Sequence, residues 1–184
     1  MQGGNEVVPV INKLTSHFDH VVITQDWHPA GHSSFASAHP GKQPFEMVEL
    51  SYGAQNLWPD HCVQGSFGAM FHMELETDKA AMIIRKGFRP GVDSYSAFFE
   101  NDQETPTGLM GYVHDCGFKR VFMAGLATDY CVGFTALDAR QLGLEVVVIE
   151  DACRAINMGG SLEAVYEQFE GQGVILKNAS DILD

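Results

Sequence analysis

Basic residues are scarce in this chain. Lys and Arg total 11 against 24 Asp and Glu, a formal net charge of −13, and no cluster of cations exists that could follow a phosphate backbone or an anionic membrane. Nucleic acid and membrane are therefore excluded as partners. Long apolar runs are missing as well: no stretch approaches the roughly 20 residues of a membrane span, and the first residues form neither a basic nor an apolar signal segment. A cytoplasmic protein is expected. Cysteine is sparse, with Cys62, Cys116, Cys131 and Cys153 scattered and no CxxC pair, in a chain of 184 residues too large to need disulfide staples. Reduced thiols follow. No repeat, low-complexity tract or linker breaks the sequence, and 45% apolar with 19% charged residues is ordinary for a globular protein, so residues 1–184 are read as one domain.

What is present alternates in period. Val7, Ile11, Leu14 and Phe18 repeat at helical spacing after Asn5, a good cap, with Pro9 tolerable near the first turn. Short β-branched or apolar runs then mark five strands, at 21–24, 81–84, 121–123, 146–149 and 174–176. Helical stretches fall at about 107–116, 130–142 and 161–172, closed by Gly117, Gly143 and Gly173. Buried strands alternating with helices predict an α/β fold, a doubly wound and mostly parallel sheet with helices on both faces. Sites in such folds form beyond the carboxyl ends of the strands, where this reading places Asp26, Lys86, Ala127 and Cys131. The stretch from Asp26 to Lys79 has little periodicity and is rich in His, Gly, Pro and aromatic residues. So long an irregular segment is usually functional.

Cys131 is the most telling residue. The apolar run Arg120–Ala124 reads as a buried strand, Gly125 breaks it, and Thr128 or Asp129 can cap a helix whose first turn holds Cys131. Free N–H groups and the positive dipole end favour a thiolate there and can receive an oxyanion. A small thiol filling space behind the sheet is the plainer reading of one cysteine. Lys86, just past another strand, would stabilise such a thiolate, although many lysines so placed only reach solvent. Asp26 and His28 lie two apart at a strand end, on one side if the strand persists, which suits a divalent metal. Five of the eight histidines fall between Asp26 and Met73, His32 and His61 among them. Trp58, Phe35, Tyr95, Phe98, Phe99 and Tyr130 suit either a flat apolar pocket or the core.

Together, Asp26-Trp27-His28-Pro29 with His32, Trp58-Pro59-Asp60-His61-Cys62-Val63, Arg85-Lys86-Gly87, Asp93-Ser94-Tyr95-Ser96-Ala97-Phe98 and Gly125-Leu126-Ala127-Thr128-Asp129-Tyr130-Cys131-Val132 resemble the nicotinamidases of the isochorismatase-like cysteine hydrolase superfamily. The match runs in order from about Gly4 to Leu183. It implies hydrolysis of nicotinamide to nicotinate and ammonia, with Cys131 as nucleophile, Lys86 as its charged neighbour, and Asp26, His28 and His61 as ligands of one divalent metal ion. Zinc is the first expectation, iron or manganese the others. The resemblance further implies an oxyanion hole from the N–H groups of Ala127 and Cys131, a cis peptide between Leu126 and Ala127, and a ring pocket at Trp58 and Tyr95. His32 matches a position that binds the metal in some members only. A small-molecule amide is thus the expected partner, and a homo-oligomer stays open.

One family feature has no counterpart. The family begins with a strand whose closing aspartate completes a Cys-Asp-Lys triad, whereas Met1–Val8 aligns with the segment before the first helix, and Asp19 lies at the wrong end of that helix. A start placed at an internal methionine, or a truncation, is the expectation, and a central strand so missing predicts a gap in the sheet. Three other readings stay open: a protein that binds nicotinamide or metal without hydrolysis, a superfamily amidase with another substrate, and a non-haem iron oxygenase using Asp26, His28 and His61, which leaves Lys86 and Cys131 idle.

Overall fold

A computed structural model describes residues 1–183. The chain opens on a 3₁₀ turn, Gly4–Glu6, that runs into helix α1, Val7–His17. Pro9 sits in the first turn, where its missing N–H leaves no bond unmade. Asn5 does not cap this helix: it lies inside the 3₁₀ turn, Glu6 holds the cap position, and no side chain bonds there. All five expected strands form, as β1 (Val21–Asp26), β4 (Ala80–Lys86), β5 (Arg120–Leu126), β6 (Glu145–Arg154) and β7 (Ile175–Lys177). The irregular segment adds two more, β2 (Met47–Leu50) and β3 (Gly53–Asn56), paired as an antiparallel hairpin. Helices α2 (Leu109–Asp115), α3 (Gly133–Gln141), α4 (Ser161–Gln172) and α5 (Ser180–Leu183) complete the fold.

The layering follows from the two-residue period of the strands. Val121 and Met123 of β5 and Val146 and Val148 of β6 turn toward α2, α3 and α4, packing with Val113, Ala136, Ala139, Val165 and Phe169. Phe122 and Ile149 point the other way and meet Ile11 and Leu14 of α1 and Ile182 of α5. Every strand pair outside the hairpin is parallel. This is the α/β architecture the sequence predicts, with helices on both faces.

The sheet, however, is in two pieces. β1 pairs only with β4, and β5-β6-β7 form a separate sheet. Among the described residues no strand bridges the free edges of β1 and β5. Between them lies a slot of about 820 Å³, walled by Val21–Thr24 on one side and Val121–Leu126 on the other. Its floor and roof are apolar, from Ile11 and Leu14 of α1 and from Leu109 and Val113 of α2. The family resemblance predicts such a gap, and among the described residues β1 and β5 do not pair with each other. The opening also corrects the reading of β5 as fully buried: Val121, Phe122 and Met123 are only half-buried and Leu126 is exposed, because one edge of the strand borders the opening.

Candidate active site

Three strand ends converge. In the β1–β4 register Asp26 stands opposite Lys86, and β5 ends at Leu126, followed by a cis peptide to Ala127. The chain then makes a π-helical turn over Thr128–Val132 before α3 begins, with the Val132 N–H donating to the Ala127 carbonyl at 3.0 Å. Cys131 is therefore not in the first turn of an α-helix; it sits in the wider turn that precedes one. Gly133 follows because nothing larger fits: a Cβ there would stand 2.8 Å from the Thr128 carbonyl oxygen and 2.7 Å from Val165.

Lys86 ties these ends together. Its Nζ is buried and donates to the Ser94 carbonyl and to Cys131 Sγ, both at 3.1 Å, and is ion-paired with Asp26. Burial alone would favour the neutral amine, but Asp26 and Cys131 outweigh it and hold the ammonium well above the ordinary lysine range. Asp26 shows the mirror effect: burial opposes its charge, yet Lys86 keeps the carboxyl below the usual range. At Cys131 the balance tips the other way. Burial pushes the thiol up more than Lys86 pulls it down, and Asp26 adds to the upward push. Burial thus works against the thiolate that a helix start would favour, and Lys86 works for it. Cys131 is half-buried and lines the slot between the two sheets.

The histidines divide by their hydrogen bonds. His28, 2% exposed, donates from Nδ1 to the Gly87 carbonyl at 2.9 Å, and His61 Nδ1 meets the Pro59 carbonyl at 2.9 Å. Both rings thereby offer Nε2 as a lone pair, the arrangement that metal-ligating histidines favour. Burial lowers His28 to about 4, so its ring is neutral. His32 differs: Nδ1 bonds Ser34 Oγ at 2.8 Å and Nε2 the Arg89 carbonyl at 2.9 Å, which commits both nitrogens. The expected ligands are adjacent but not one set. The donor atoms of Asp26, His61 and Cys62 lie within 4.8 Å of one another, while those of His28 group with His32 and Asp93. The His28 and His61 rings nevertheless stand 4.8 Å apart. Burial pushes Cys62 up to about 11, a thiol at neutral pH.

An aromatic wall borders the cysteine turn. Trp58, Ala127 and Tyr130 are buried together, with Tyr95 packed against them. Trp58 meets Tyr130 edge-on at 4.8 Å and Tyr95 at 6.2 Å. Trp58 Nε1 donates to Tyr95 Oη at 3.1 Å, and Gln55 Nε2 donates to the same oxygen at 2.7 Å. Gln55 was not visible from sequence. It sits on β3, buried, and also donates to Asp93 Oδ2 at 3.2 Å, so the hairpin that no periodicity marked is what anchors the wall. Asp129, which the sequence offers beside Thr128 as a helix cap, holds no cap position. Its carboxylate instead accepts from the N–H groups of Ile156 and Asn157 and from Ser161 Oγ, fastening the cysteine turn to the start of α4.

A parallel sheet whose carboxyl end presents a cysteine beside a buried lysine, with histidines and a carboxylate close by, defines an α/β protein with a cluster of titratable groups at its strand ends. The chain belongs to the isochorismatase domain family, whose model matches residues 1–180. Among curated relatives, a nicotinamidase of Acinetobacter baylyi is 50% identical over 181 residues, covering 98% of this chain and 85% of its own length. Among solved structures, a nicotinamidase/pyrazinamidase of Acinetobacter baumanii superposes with a TM-score of 0.97 at 51% identity, over 98% of this chain and 87% of its own. PnC1 of L. infantum, solved with nicotinate, gives 0.83 at 41%, covering 97% and 82%. The pyrazinamidase of Pyrococcus horikoshii, solved with zinc, gives 0.75 at 31%, covering 97% and 88%.

Proposed function

We propose that this protein is a cysteine amidase that hydrolyses nicotinamide to nicotinate and ammonia. The observation that carries the reading is the Lys86–Cys131 contact of 3.1 Å at the foot of an aromatic wall, in a chain half identical to a nicotinamidase. Trp58 and Tyr95 would hold the pyridine ring and present its carboxamide to Cys131. Sγ attacks the carboxamide carbon with the Lys86 ammonium steadying the developing thiolate, and the thiol proton passes to the carboxamide nitrogen, which leaves with it as ammonia. The N–H groups of Ala127 and Cys131 would receive the oxyanion. The C–N bond breaks and a thioester remains. Water then cleaves the C–S bond, releasing nicotinate and restoring the thiol. Lys86 links Asp26 to Cys131, which makes Asp26 the carboxylate through which this chain's own charge reaches the thiol.

Asp26, His28 and His61 would hold one divalent metal ion. The fit rests on two rings whose Nδ1 is taken by a backbone carbonyl and whose Nε2 is free, a charged carboxylate beside them, and the zinc of the P. horikoshii structure. Such an ion would supply a Lewis acid for the ring nitrogen of the substrate. Cys62 would have to lose a proton that burial holds, and His32 a hydrogen bond at whichever nitrogen met the ion. The test is ammonia release from nicotinamide by the zinc-loaded chain beside Cys131→Ala. Turnover abolished in the variant carries the reading; equal ammonia from both sinks it.

A further inference from the structure

Thr135 lies one helical turn beyond Cys131, in α3, and its hydroxyl makes two bonds. Oγ1 donates to the Cys131 carbonyl at 2.5 Å and accepts from the Ala97 N–H at 3.0 Å. The first bond alone is ordinary, since a threonine in a helix readily bonds the carbonyl four residues back. The second is not local. It joins α3 to a stretch 38 residues earlier that belongs to no helix or strand. Backbone groups there have no ladder to satisfy them, and Ala97 is 2% exposed. Two threonines take both of its groups, Thr135 the N–H and Thr107 the carbonyl.

The same stretch holds Lys86. The Ser94 carbonyl accepts from Lys86 Nζ at 3.1 Å, Ser94 Oγ donates to the Ser96 carbonyl at 3.0 Å, and Ser96 Oγ accepts from the Phe98 N–H at 3.0 Å, so residues 94–98 are braced as one unit. A closed ring results. It runs from Cys131 Sγ to Lys86, to Ser94, along the chain to Ala97, through Thr135 Oγ1 and back to the Cys131 carbonyl. β4, which carries the lysine, and β5, which leads to the cysteine, do not pair with each other, so no ladder sets one against the other. We propose that Thr135 is a positioning residue for the amidase reaction: its hydroxyl, shared between the Cys131 carbonyl and the Ala97 N–H, sets the thiol against the Lys86 ammonium. It acts through the backbone of the cysteine and not on Sγ. Its effect on turnover rests on the amidase reading, whereas the placement of the thiol does not. Small displacements matter here, because a misplacement of about 1 Å can cost about 10² in rate.

Thr135→Val keeps the β-branched shape and removes the hydroxyl, while the charges that act on the thiol, Lys86, Asp26 and Asp93, all remain. A change in how the thiol titrates then reports altered placement. In the full chain, the pH midpoint of Cys131 alkylation, followed by mass spectrometry, is expected to rise by about half a unit or more in Thr135→Val and to return in Thr135→Ser, which restores the hydroxyl. Thr135→Val combined with Lys86→Met is expected to rise no further than Lys86→Met alone. Thr135→Ala makes the same test should the valine variant not fold. Ammonia release from nicotinamide is expected to lose about 10–10²-fold in kcat with KM little changed. A midpoint that stays in place in a folded valine or alanine variant, an equal rise in Thr135→Ser, or shifts that simply add in the double variant each overturn the proposal and leave Thr135 a structural link. A midpoint that shifts as expected in a chain whose parent releases no ammonia upholds the placement and counts against the amidase reading instead.

Discussion

Lys86 has three hydrogens, and three acceptors take them: the Ser94 carbonyl, Cys131 Sγ and Asp26. Replacing it by Met keeps much of the stem and removes the charge, leaving the thiol to burial and to Asp26, both of which push it up. We expect the pH midpoint of Cys131 alkylation, followed by mass spectrometry, to move upward in Lys86→Met, and ammonia release to fall by about 10²–10³. A midpoint left where it was would remove Lys86 from the account. Glu100 offers a separate reading at the same scale. Burial raises its carboxyl to about 7 although the neighbouring Arg89 pulls it down. Between the ordinary value of 4.5 and about 7 the folded chain holds a proton that the unfolded chain has released. Its contribution to stability is therefore complete below that ordinary value and is lost as pH rises through about 7. Glu100→Gln should flatten this decline, so its Tm relative to the parent should climb between about pH 5 and pH 8, by about 2–4 °C for each ~1 kcal/mol. A constant difference would refute the assignment.

Gly87 couples an element boundary to the site. It follows β4 with φ +64, and a Cβ there would stand 2.6 Å from His28 Nδ1. Gly87→Ala should lower stability by about 1–3 kcal/mol, read as a shift in denaturant midpoint without change of slope. A loss under about 0.5 kcal/mol would show that His28 can swing away freely. Helices and strands of this chain were largely legible from sequence, because β-branched runs and helical spacing report burial directly. Helix α4 matches its expected span residue for residue. What was not legible depends on partners far along the chain. β2 and β3 are four residues each, too short to show a period, and are fixed by pairing with each other and by Gln55 reaching Tyr95. The π-helical turn at Cys131 escaped because apolar spacing does not separate a turn of four residues from one of five. Asp129 looked like any helix cap, and only the fold reveals that its acceptors are used 27 to 32 residues away. His32 resembled its neighbours in sequence; Ser34 and the Arg89 carbonyl set it apart.

For the whole molecule, metal binding and folding are linked. The donors of the candidate site come from β1 and from the irregular segment, so an ion held by Asp26, His28 and His61 stabilises only the folded arrangement. Zinc at 100 times its dissociation constant should add about 2.7 kcal/mol, hence about 5–10 °C in Tm. His28→Ala and His61→Ala should each cancel most of that rise, and a rise that survives both places the ion elsewhere. No helix among the described residues is long and apolar enough to cross a membrane. The fastening of Asp129 has a different consequence, for the order of assembly. The turn that carries Cys131 is held by groups 27 to 32 residues further on, so it cannot be set until the chain as far as Ser161 is in place.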